Sequence, residues 1–125
     1  MIIAPEIDLP NIDAELATIA ANHEIVPDPP LTGYVTAEDV AHETNKHTCD
    51  AIIFACHGDD LGLTLNDGHC HANLITQFVR NSEAGLCVLN ACNSERLAQR
   101  IYAHCNVSVI YARTQIDDAE AMLYM

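Results

Sequence analysis

Basic side chains are scarce in this sequence: five Lys and Arg stand against 18 Asp and Glu among 125 residues, for a net charge of −13. Gripping a phosphate backbone takes clustered Lys and Arg, so no nucleic-acid partner is expected. Long apolar runs are missing too. The longest is Ala51–Cys56, whereas a helix crossing a bilayer needs about 20 such residues, so no membrane partner is expected either. The start, Met-Ile-Ile-Ala-Pro, lacks the basic n-region of a secretory leader, which makes a soluble, cytoplasmic protein the expectation. No internal repeat and no low-complexity tract interrupts the chain.

What is present is a globular composition, 50% apolar, in a chain long enough to bury one hydrophobic core. A single domain over residues 1–125 is expected. The charge is lopsided: residues 1–68 hold 13 of the 18 acids and only Lys46, while the four Arg lie from Arg80 onward. Such a surface suits a basic peptide or partner, although solubility alone accounts for it. The cysteines number six. Cys56, Cys87 and Cys92 fall in or at the end of apolar stretches, where free Cys acts as a small hydrophobe. Without a secretion signal, reduced thiols are expected.

Strand-like and helix-like patterns alternate, which predicts a parallel sheet flanked by helices. Strands are expected at about 1–4, 24–26, 50–56, 86–91 and 108–112, in the order 2-1-3-4-5. Between them the periodicity predicts helices over about 12–22, 36–46, 71–80 and 95–104, with another beginning at Ile116. Thr36 and Asp39 form a loose capping box, and Asn93 or Ser94 suits the cap of the helix from 95. Leu74, Ile75, Phe78 and Val79 mark one buried stripe, and Leu97, Ile101 and Tyr102 another. Asp28–Gly33 reads as a loop. Leu61–Leu65 alternates like a strand and ends in the turn Asn66-Asp67-Gly68.

Two strand ends carry the chemistry. Asp50–Cys56 runs into His57-Gly58, and Leu86–Ala91 runs into Cys92-Asn93-Ser94. Open parallel sheets place their sites at strand carboxyl ends, and adjacent strands lie about 4.8 Å apart. If these two are neighbours, an imidazole and a thiol meet on one rim, as a cysteine nucleophile and its base require. Cys92 also precedes a helix start, where the dipole favours a thiolate.

At these residues the chain resembles the caspase-like cysteine peptidase superfamily, and within it the CHAT domains of bacterial signalling and defence proteins. The resemblance rests on 50–58, ending Cys56-His57-Gly58, on Leu63–Gly68, on Leu89–Ser94 and on 116–121. It implies a caspase-like three-layer α/β sandwich in which His57 is the base and Cys92 the nucleophile. It further implies that the backbone N–H groups of Gly58 and Cys92 form the oxyanion hole. A protein or peptide substrate and no cofactor follow from it. Asp59, Asn90 and Asp117 are candidates for the substrate cleft. Asn90 stands where relatives that cut after Lys or Arg often have Asp, so basic specificity is not expected. The family usually continues beyond the last helix expected here, so the chain is expected to be a shortened piece of a longer protein, a naturally minimal form, or one whose flank a partner protein or parent-chain domains complete.

Blander readings stand beside these. Asp59 and Asp60 suit a hydrated turn as well as a cleft mouth, and Asp117 and Asp118 suit a helix cap. His69-Cys70-His71 lacks the paired spacing of structural zinc sites and reads as an exposed helix start, so no metal is expected. A catalytically silent interaction module and a small ligand- or metal-binding α/β domain remain as alternatives to the peptidase.

Overall fold

The computed structural model describes residues 1–5, 31–91 and 93–111. The expected helix over 12–22, the strand at 24–26 and the helix from Ile116 lie outside the described residues. So do Cys92 and Asp117.

The architecture is mixed α/β: a parallel five-stranded sheet with three helices against it among the described residues. Its strands are β1 (Ile2–Pro5), β2 (Leu31–Gly33), β3 (Ala51–Ala55), β7 (Leu86–Asn90) and β8 (Ser108–Tyr111), side by side as β2-β1-β3-β7-β8. The excursion between β3 and β7 contributes β4 (Gly58–Asp59), β5 (Gly62–Leu65) and β6 (Gly68–His71), a separate antiparallel sheet. The helices are α1 (Ala37–Lys46), α2 (Ala72–Ser82) and α3 (Glu95–His104).

Local chemistry explains the boundaries. Thr36 caps α1 by accepting the Asp39 N–H at 3.2 Å, and the Asp39 carboxylate accepts the Thr36 N–H at 3.0 Å, so the loose capping box forms with Asp in the third position. At α2 the His71 ring accepts the Asn73 N–H at 3.1 Å, and Glu83, at φ 57°, ends the helix in the left-handed region. Ser94 takes the N-cap position of α3 without a capping bond from its side chain.

Alternation along the strands sorts side chains into two faces. Ile3, Ile52, Phe54, Cys87 and Leu89 point to one, where they join Val40 of α1, Ile75, Phe78 and Val79 of α2, and Leu97 and Ile101 of α3 in a single buried cluster. Ile2, Ala4, Ala55 and Ile53 form a second cluster on the opposite face. The antiparallel sheet does not stand apart, since Leu63, Leu65 and Cys70 belong to the first cluster.

Four expectations need correction. Leu31–Gly33, expected within a loop, is a strand paired with β1 as Ile3↔Leu31 to Pro5↔Gly33. His69–His71, expected at a helix start, lies in β6, where Cys70 is paired with Leu63 and only 4% exposed. Leu74 is 37% exposed, on the rim of its helix stripe. Tyr102, next to buried Ile101, is 70% exposed because its position turns past the buried arc of α3.

Candidate functional site

β3 and β7 are adjacent and parallel, paired continuously from Ala51↔Leu86 to Ala55↔Asn90. His57 follows Ala55 by two residues, and Cys92 follows Asn90 by two. The described part of this rim consists of His57, Gly58 and Asp59 on one side and Asn90, Asn93 and Ser94 on the other.

His57 is half-buried, and its carbonyl oxygen accepts the Thr64 N–H at 2.8 Å. The backbone therefore leaves β3 and enters a second sheet at once, through the pairs Gly58↔Leu63 and Asp59↔Gly62. This brings the chain back on itself within four residues. Asn90 ends β7 opposite Ala55 and is half-buried. Beyond it Asn93 holds φ at 53°, a left-handed conformation that Asn tolerates better than most residues.

The Asp59 side chain makes three contacts through one oxygen. Its Oδ1 accepts the N–H groups of Leu61 at 2.8 Å and Gly62 at 3.0 Å and faces His69 Nε2 at 3.1 Å. These donors favour the ionised form. The carboxyl therefore lies below its usual range, first through the His69 hydrogen bond and then through the two backbone N–H groups. Asp60 approaches Arg96 of α3 at 4.0 Å across exposed surface. Asp59, Asp60, Leu61, Asn93, Glu95 and Arg96 line an open hollow of about 650 Å³. Asp59 is thus a turn residue that also borders this open hollow.

The thiols divide by environment. Cys56 and Cys87 are buried, and desolvation pushes each up to about 12. Burial likewise pushes Cys70 up to about 11. Cys105 is raised as well, mainly by desolvation, and its thiol donates to the Thr76 carbonyl oxygen at 3.5 Å. All four are therefore poor nucleophiles at neutral pH.

The His69-Cys70-His71 run is dispersed by its strand geometry. Successive side chains alternate, so Cys70 enters the core while His69 reaches Asp59 and His71 caps α2. Among the described residues, no group of three or more His, Cys, Asp or Glu is placed to hold a metal ion. Sequence reading missed His69 as the partner of Asp59 and Arg96 as a wall of the hollow. No local sequence signal marks the first, because the contact depends on register across three strands.

Comparison with known protein families and with curated proteins yields no match. What the fold and rim define is therefore a class by architecture: a mixed α/β protein with a histidine and a cysteine following paired strand ends. Among the described residues no helix is long and apolar enough to cross a membrane.

Proposed function

We propose that this chain is a cysteine endopeptidase of the caspase-like, CHAT type, acting on a protein or peptide in the cytoplasm within a bacterial signalling or defence pathway. One observation carries the reading: Ala55 is paired with Asn90 in parallel register, and His57 and Cys92 each follow that pair by the same two residues. Equal offsets from a parallel pair favour a meeting of the two side chains.

In this mechanism the Cys92 thiol loses its proton to His57, and the thiolate attacks the scissile carbonyl carbon. The N–H groups of Gly58 and Cys92 take up the oxyanion. The intermediate collapses to a thioester as His57 protonates the departing amine. Water, deprotonated by the same imidazole, then hydrolyses the thioester and restores the thiol. Asp59, Asn90 and Asp117 are the residues proposed to line the substrate cleft. The caspase-like sandwich itself belongs to this proposal. The strand order β2-β1-β3-β7-β8 supports it.

The test is competitive alkylation of the folded protein with iodoacetamide near pH 7, read residue by residue. Cys92 is expected to react ahead of the other five cysteines, Cys49 included, and well ahead of Cys56, Cys70, Cys87 and Cys105, whose environments raise their pKa values. Labelling of Cys92 at the pace of those thiols would overturn the reading.

A further inference from the structure

The Asp59 carboxylate joins three stretches of backbone. It sits on β4, one residue after Gly58, and holds the β4–β5 turn closed through the N–H groups of Leu61 and Gly62. His69 meets the same oxygen from β6, on the far side of β5. The register explains the reach. Asp59 pairs with Gly62, Gly62 and Thr64 alternate to the same side of β5, and Thr64 pairs with His69. An ionised carboxylate only accepts, so the proton of the Asp59–His69 bond sits on Nε2 of His69.

β4 is a slight element. It is two residues long and forms an edge of its sheet, with β5 as its strand partner. Such short edge pairings open readily. The two residues at this weak point are the ones whose placement matters most to the proposed chemistry. His57 enters the sheet through the Thr64 N–H, and Gly58 is the first residue of β4.

We propose that Asp59 and His69 form a positioning clamp: the bond between them fixes β4 on β5 and so sets where the His57 ring and the Gly58 N–H stand. The proposal rests on the peptidase reading above. Neither residue touches the reacting atoms in this account; as a clamp both act through His57 and Gly58, apart from the place of Asp59 at the cleft.

The experiment uses the full chain and three variants, His69→Ala, His69→Gln and Asp59→Ala. Backbone hydrogen exchange at Thr64 and Leu61 reports the clamp directly. The iodoacetamide rate at Cys92 reports its effect on the dyad, and exchange at Ile53 in the central strand reports the fold. In His69→Ala, exchange at Thr64 and Leu61 should quicken and Cys92 reactivity should fall, each by about two- to fivefold, the range over which a solvent-exposed charged pair acts. Ile53 should keep its protection. Asp59→Ala should do the same or more, because it removes the turn closure as well. His69→Gln should restore both readouts toward wild type, since its amide N–H can donate to the carboxylate.

Faster exchange with unchanged Cys92 reactivity would overturn the proposal and leave a structural turn only. Unchanged exchange in His69→Ala would overturn it at its first step. If wild-type Cys92 reacts no faster than the buried thiols, the peptidase reading fails and the positioning role with it. The exchange data would still report whether the two side chains hold β4.

Discussion

Asn66 and Val35 exchange two hydrogen bonds across 31 residues of sequence: the Asn66 N–H donates to the Val35 carbonyl at 2.9 Å, and the Val35 N–H donates to Asn66 Oδ1 at 2.7 Å. Next to them, the Asp67 carboxylate accepts the Ala37 N–H at 3.3 Å in the first turn of α1, where negative charge is favoured. The β5–β6 turn is thereby bolted to the start of a helix. Asn66→Ala should lower stability by about 1–3 kcal/mol, because it strands the N–H of a buried residue. Asp67→Asn should cost only about 0.5 kcal/mol. Urea unfolding checks both, with a lower midpoint and an unchanged slope expected for Asn66→Ala.

Cys92→Ala and His57→Ala should each abolish peptide cleavage while the circular dichroism spectrum stays that of the wild type. The first removes the nucleophile and the second its base. His71→Ala should leave cleavage near wild type, as its ring only caps α2. Cys70→Ala should instead cost about 1 kcal/mol of stability, because it hollows a packed site. Undiminished cleavage in Cys92→Ala would end the mechanism.

Alkaline pH should destabilise the protein through its buried thiols. Cys56 and Cys87 ordinarily titrate at 9.0 and are pushed up to about 12 in the fold. Below pH 9 both states hold these protons, and the thiols add no pH dependence. Between about 9 and 12 the unfolded chain releases them while the native one keeps them, so stability falls as pH rises. The limiting slope is about 1.4 kcal/mol per thiol per pH unit. Urea melts at pH 8, 9, 10 and 11 check this, and Cys87→Ala should flatten the decline.

Gly62→Ala should weaken the fold by about 3 kcal/mol or more. A Cβ there would collide with the carbonyl oxygen of Cys70 and stand 3.1 Å from the Ala72 nitrogen, and backbone cannot step aside as a side chain can. Thermal unfolding gives the readout. A melting temperature within a degree or two of wild type would refute it.

The Asp59 carboxyl should titrate below the ordinary carboxylate range, and His69→Ala should raise its midpoint by removing the largest cause of the depression. By linkage, its stabilising effect is present above the unfolded-state pKa and is lost as pH falls through the lower folded-state value. Carbon-detected NMR titration of the side chain would show both.

Sequence legibility followed the strength of local signals. β3 and β7 stand out because Ile52, Ile53 and Phe54, and Val88 and Leu89, form short apolar runs bounded by polar residues. The start of α1 was legible because Thr36 and Asp39 carry the cap within four residues. β2 escaped because three residues that follow Pro29-Pro30 and end in Gly33 look like a loop, and only pairing with β1 makes them a strand. β6 escaped because two of its four residues are histidines facing away from the core, leaving Cys70 as the lone inward marker. At the rim, the order of His57 and Cys92 along the chain was readable. The Asp59–His69 bond was not, since it depends on a three-strand register that no local pattern encodes.

The sharing of one core by both sheets has a consequence for how this chain can be altered. The stretch from β4 to β6 resembles a decorative insertion when drawn as a connection, yet Leu63, Leu65 and Cys70 plug the same interior as Phe54 and Leu89. Replacing residues 58–71 with a short linker would not expose a minimal parallel sheet beneath. It would leave a pit in the shared core that water must fill or the helices must collapse into. The excursion is keystone masonry, so neither a designer nor a lineage can shed it without recasting the interior around it.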